Sequence, residues 1–123
     1  MKFYNHLMDE VERRKIREKA LKRFGINHQI DKMIEELGEL LQATIKLRQA
    51  TEDGQIKLSD KNSALFQNFL EELADFDVMR DQIVQAFELN SPEKNMLDEI
   101  KDMKLTRLNK LLEQTSISDF LED

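Results

Sequence analysis

The stretch Leu65–Phe87, LFQNFLEELADFDVMRDQIVQAF, decides the fold. At about 100° per residue, Leu65, Phe69, Leu73, Phe76, Met79, Ile83 and Phe87 fall on one broad stripe, the pattern of an amphipathic helix facing a core. Glu72 lies inside that stripe, and Asp75, three residues on, stands at its edge as a helical neighbour. An ionised carboxylate turned towards a core is costly unless it is paired, hydrogen-bonded or bound to a metal. A cation is therefore expected to meet Glu72.

The segment before it repeats the oddity. A helix is expected from about Asn27, a candidate N-cap, to Arg48, with Ile30, Met33, Ile34, Leu37, Leu40, Leu41, Thr44 and Ile45 as its apolar stripe. Glu36 and Glu39 flank the stripe three residues apart, with Glu35 farther round. Gly38 costs roughly 1 kcal/mol relative to alanine in a helix interior. Either close approach by a neighbour explains it or the helix tolerates it. Residues Gln49 to Asn62 break the periodicity, carry an Asp53-Gly54 turn signal and read as a long loop from which Lys57 and Lys61 could reach a ligand, unless they are ordinary surface lysines. The cap of the following helix is Ser59, Asp60 or Ser63.

Downstream, Ser91 as N-cap, Pro92 at the first helical position and Glu93 in the first turn predict a fourth helix to about Leu112. Met96, Leu97, Ile100, Met103, Leu108, Leu111 and Leu112 form its stripe, yet Lys104 falls near the centre with Lys101 and Arg107 on the same arc. Each cation alone can snorkel. Three together, in a chain with two acidic pairs beside apolar faces, point to a polar site inside a helical bundle. Upstream, Lys2 to Phe24 is helical in character and ends at Gly25. Its basic run Arg13, Arg14, Lys15, Arg17 is either a solvated face or a phosphate or partner patch.

Composition sets the limits. The 123 residues suit a single domain, here an all-α bundle of about four helices with an N-terminal helix (1–25), a motif-bearing core (27–112) and a tail (113–123). Charged residues make up 36% against 3 Gly and 1 Pro, a soluble, helix-rich composition. The net charge of −6 argues against broad nucleic-acid binding. No apolar run nears the roughly 18 residues that span a membrane, and no signal-peptide core is present, so the cytoplasm is expected. Without cysteine there is neither a disulfide nor a thiolate site, and His6 and His28 lack a partner at zinc spacing. Neither follows a glutamate by three residues, as a di-iron bundle requires.

Two helices that each carry two acids three residues apart can converge four carboxylates on one cavity. That is the donor set of a hard divalent cation such as Mg²⁺, which typically shares its site with substrate phosphates. The segments Glu35-Glu36-Leu37-Gly38-Glu39 and Glu71-Glu72-Leu73-Ala74-Asp75 resemble the EExxE…ExxD signature of the all-α nucleoside triphosphate pyrophosphohydrolases, the MazG-like superfamily, over roughly Gly25 to Leu112. The chain departs from that pattern in the 32 residues between Glu39 and Glu72 and in Asn68, at a position that is basic in some members.

The resemblance implies Glu36, Glu39, Glu72 and Asp75 as ligands of Mg²⁺, with Mn²⁺ as a substitute, and a site between the second, third and fourth helices. It further implies Glu35 or Glu71 as outer-sphere or base residue and Lys101, Lys104 and Arg107 as triphosphate contacts. The implied reaction is (d)NTP + H₂O → (d)NMP + pyrophosphate, a house-cleaning of the nucleotide pool, in a homodimer or homotetramer. Tyr4, Phe3, Phe24 and Phe66 are candidate base stackers, each with the alternative reading of a core residue. The rival reading is a non-catalytic nucleotide-binding or adaptor bundle in which Lys104 or Arg107 neutralises Glu72 as a buried pair.

Overall fold

Every element expected from the periodicity is helical. The computed structural model describes residues 7–89 and 95–114, and these form α1 (Glu10–Phe24), α2 (Ile26–Glu52), α3 (Ala64–Phe87) and α4 (Met96–Gln114) without a strand. The chain divides into two units, Met1–Leu89 and Asn90–Asp123. No described helix is long and apolar enough to cross a membrane.

In the first unit α1 begins later than the composition suggests. Asp9 is its N-cap and accepts the Glu12 N–H at 2.8 Å, so Leu7 and Met8 precede the helix, while Lys2 to His6 lie outside the described residues. Its basic run is in part structural: Arg17 donates to Glu10 Oε1 at 2.9 Å and to Gln85 Oε1 at 3.2 Å, and Gln85 returns an N–H to the Arg14 carbonyl at 3.0 Å. Arg17 thus ties α1 to α3.

One residue joins α1 to α2. Gly25 adopts φ 81° and ψ 161°, a region closed to side chains, and serves as both C-cap of α1 and N-cap of α2, so Asn27 lies inside the helix rather than capping it. α2 continues past Arg48 to Glu52, where Gly54 at φ 74° closes it: the Gln55 N–H reaches the Ala50 carbonyl at 2.9 Å and the Gly54 N–H reaches Thr51 at 3.3 Å. The expected turn is therefore a helix C-cap, and the loop is shortened to 53–63. Ser63 is the N-cap position of α3.

The face that α2 buries differs from the large-apolar stripe. Its buried residues are Gln29, Glu36, Ala43 and Ala50, one every seven, with half-buried Met33, Leu40 and Leu47 between them. That alternation of three and four is the seam of a two-helix coiled coil, in which α3 is the partner. Ile30, Ile34, Leu37, Leu41 and Ile45 are instead exposed, because they lie on the next face round the helix. The α3 stripe fares better: Leu65, Phe69, Leu73, Phe76, Met79 and Ile83 are buried or half-buried, and Phe87 is exposed.

In the second unit α4 starts at Met96. Asn95 accepts the Asp98 N–H at 3.2 Å, as an N-cap side chain does, whereas Ser91, Pro92 and Glu93 lie outside the described residues, as does the tail from Thr115. The helix runs two residues beyond Leu112, to Gln114.

The two interior glycines should respond oppositely to alanine. Gly25→Ala forces a side chain into a glycine-only conformation and should destabilise the protein by about 1–3 kcal/mol. Gly38 has nothing within 4 Å of where a Cβ would stand, so no close approach within the chain accounts for it. Gly38→Ala should stabilise by about 0.5–1 kcal/mol. Urea unfolding of the two variants checks both signs.

Candidate metal centre

The seam between α2 and α3 sets the site. Gln29 Nε2 donates to Gln82 Oε1 at 2.8 Å, which fixes the register of the antiparallel pair. Advancing two turns along α2 and retreating two turns along α3 brings Glu36 opposite Asp75 and Glu39 opposite Glu72. Each of these four residues offers a carboxylate oxygen, and the four atoms all lie within 4.8 Å of one another. The ligand set expected from the sequence is thus brought together by two helices alone.

Burial makes the cluster unlike a surface acid patch. Glu36 retains 9% of its exposure and Glu72 is half-buried, while Glu39 and Asp75 reach solvent. Glu36 Oε2 and Glu72 Oε2 are both buried without a hydrogen-bond partner. An oxygen left so costs about 1–3 kcal/mol, more for a charged group. Desolvation, then the charges of Glu39 and Asp75, raises the pKa of Glu36 above the ordinary glutamate value, and Lys32 opposes the rise.

Lys32 is the residue that pattern reasoning missed. Its Nζ lies 3.0 Å from Glu35 Oε2 and 3.7 Å from Glu36 Oε1. The hydrogen bond to Glu35, then the charges of Glu35 and Glu36, raise its pKa and keep it cationic. The Lys-x-x-x-Glu spacing was legible in the sequence as a helical ion pair. The cation expected at Glu72 therefore meets Glu36 instead.

The other candidates are placed as follows. Glu35 is exposed and engaged with Lys32, and Glu71 is exposed on α3. Lys101, Lys104 and Arg107 are exposed on α4, in the second unit, and Lys101 Nζ lies 3.8 Å from Asp98 Oδ1. Lys57 and Lys61 line a cavity of about 200 Å³ with Leu47, Ile56 and Phe66. None of the four acids lines this cavity. The Phe24 ring stacks on His28, with centroids 5.1 Å apart. Tyr4 and Phe3 lie outside the described residues.

No family model, curated protein or solved structure matches the chain. What the site can do is therefore argued from its own chemistry. Four carboxylates without nitrogen or sulfur donors suit a hard cation, and the two orphaned buried oxygens are the atoms such an ion would satisfy.

The raised pKa of Glu36 adds one contribution of known sign to the pH response of the cation-free protein. Between the ordinary glutamate value and the raised one, the folded state binds more protons than the unfolded state, so stability falls as pH rises through that interval. Thermal unfolding in a chelator, from about pH 4 to pH 7, should show the decline, and Glu36→Gln should flatten it. A Glu36→Gln protein with the same slope would place the titration elsewhere.

Proposed function

We propose that the chain is a Mg²⁺-dependent nucleoside triphosphate pyrophosphohydrolase. The observation that carries this reading is the convergence of Glu36, Glu39, Glu72 and Asp75 within 4.8 Å, with unpartnered buried oxygens on two of them. The resemblance of Glu35–Glu39 and Glu71–Asp75 to the EExxE…ExxD signature supplies the substrate class.

In this reading the four acids hold Mg²⁺, or Mn²⁺ in its place. When bound, the ion neutralises triphosphate charge and lowers the pKa of water. Glu36 and Glu72 are oriented by the helix seam, which fixes their carboxylates before substrate arrives. Glu35 or Glu71, exposed beside the cluster, accepts the proton of the attacking water. The water oxygen adds to phosphorus, the α,β anhydride bond breaks, and pyrophosphate leaves with the electron pair. The resemblance also assigns phosphate contacts to Lys101, Lys104 and Arg107, which are exposed on α4 in the second unit.

The same reading takes the protein as a homodimer or homotetramer of the cytoplasm. The exposed apolar face Ile30, Ile34, Leu37, Leu41 and Ile45 supports the self-association, since contiguous apolar surface marks an interaction site. A non-catalytic nucleotide-binding or adaptor bundle is favoured only by the Lys32–Glu36 pair, which partly neutralises the buried acid without a metal.

Two measurements separate these readings. Incubation with a panel of NTPs and dNTPs and Mg²⁺ should release pyrophosphate and nucleoside monophosphate; orthophosphate as the sole product contradicts the assignment. Glu36→Gln, Glu39→Gln, Glu72→Gln and Asp75→Asn should each lower turnover by at least about a hundredfold with the helical circular dichroism retained, and double variants should lose far less than the product of the singles. Independent, multiplicative losses would mean that the four acids do not share one ion.

A further inference from the structure

The acid cluster has two ends, and they differ. On α2, Lys32 stands one turn before Glu36 and two turns before Glu39, so the three side chains share one face of the helix. The equivalent place on α3, one turn before Glu72, is Asn68, which carries no charge. Among the described residues, Lys32 is the one cation paired with any of the four acids. Its side chain is 49% exposed, against 11% for that of Glu36, so the ammonium sits at the lip of the site on a flexible stem while the carboxylate is fixed inside.

The contact with Glu36 is long, 3.7 Å, and leaves Glu36 Oε2 buried without a partner. One lysine cannot satisfy four converging carboxylates. A divalent ion among them meets Glu36 from inside the cluster, where its orphaned oxygen lies, and repels the ammonium. Lys32 then has two destinations: Glu35, already at 3.0 Å, and any anion bound to the ion at the same lip. A triphosphate coordinated there is such an anion.

We propose that Lys32 is the resident counter-ion of the acid cluster, hydrogen-bonded to Glu35 and paired with Glu36 in the cation-free protein, and that it turns from Glu36 to the substrate's phosphates when the cation enters. This rests on the reading of the four acids as a metal centre. It makes Lys32 a positioning residue in one state and a phosphate contact in the other. The two roles act on binding in opposite directions. Without its charge the cluster should attract a bare cation more strongly, whereas the loaded site should hold polyphosphate less strongly.

Calorimetry with Mg²⁺ alone, and with inorganic tripolyphosphate in saturating Mg²⁺, reads both on the full chain. Lys32→Met should bind Mg²⁺ about three- to tenfold more tightly and magnesium tripolyphosphate at least about tenfold more weakly than the natural protein, and Lys32→Arg should restore the polyphosphate affinity. If the natural protein binds both probes and Lys32→Met changes neither, or weakens both, the exchange is wrong while the metal centre stands. If the natural protein binds Mg²⁺ but no tripolyphosphate, the pyrophosphohydrolase reading fails and the phosphate role of Lys32 fails with it. If it binds no Mg²⁺, the metal centre itself is overturned.

Discussion

Carboxylates packed into the seam between α2 and α3 govern how the first unit is built. Buried acids destabilise the fold by desolvation and by mutual repulsion, and both effects raise the pKa of Glu36. The seam tolerates them because its other layers are closely fitted: Ala43 and Ala50 are small enough to bring α2 near α3, and the Gln29–Gln82 hydrogen bond locks the register. Slippage by one turn would separate Glu36 from Asp75 and Glu39 from Glu72. The helix pair therefore holds a strained site in place. A divalent cation bound among the four acids, as proposed, would convert the strain into binding energy, since an ion bound only by the folded state stabilises it by mass action.

The arrangement also accounts for where the apolar surface lies. With acids, glutamine and alanine occupying the seam of α2, the large residues Ile30, Ile34, Leu37, Leu41 and Ile45 are turned outward on the neighbouring face. The buried hydrophobic residues of the first unit are Ala43, Ala50 and Met79, a small core for helices of 27 and 24 residues. Self-association that covers this exposed face is part of the proposed function.

The α3 stripe and its intruding Glu72 were legible in the sequence because phenylalanines and leucines at helical spacing outline a face unambiguously. The spacing of Glu36, Glu39, Glu72 and Asp75 likewise pointed to one shared site before any geometry was at hand. The α2 face departs from the expectation for a physical reason: large apolar residues ordinarily mark the core, whereas this seam is built from small and polar residues every seven positions. Glu36 consequently moved from the flank of a stripe to the centre of the buried face. Asn27 looked like a cap because its type favours caps, but the one-residue joint at Gly25 left no room for it outside the helix. Lys32 stands four residues before Glu36, the spacing of an ordinary helical ion pair, and that spacing alone does not distinguish it from a solvated surface lysine.

Diffraction from crystals grown or soaked in Mn²⁺, collected where manganese scatters anomalously, shows whether the four acids hold a metal. An anomalous peak is expected among the carboxylates of Glu36, Glu39, Glu72 and Asp75, with Glu36 Oε2 or Glu72 Oε2 in its coordination shell. A cluster without manganese, in which Lys32 or another side chain closes on those oxygens, would contradict the metal centre.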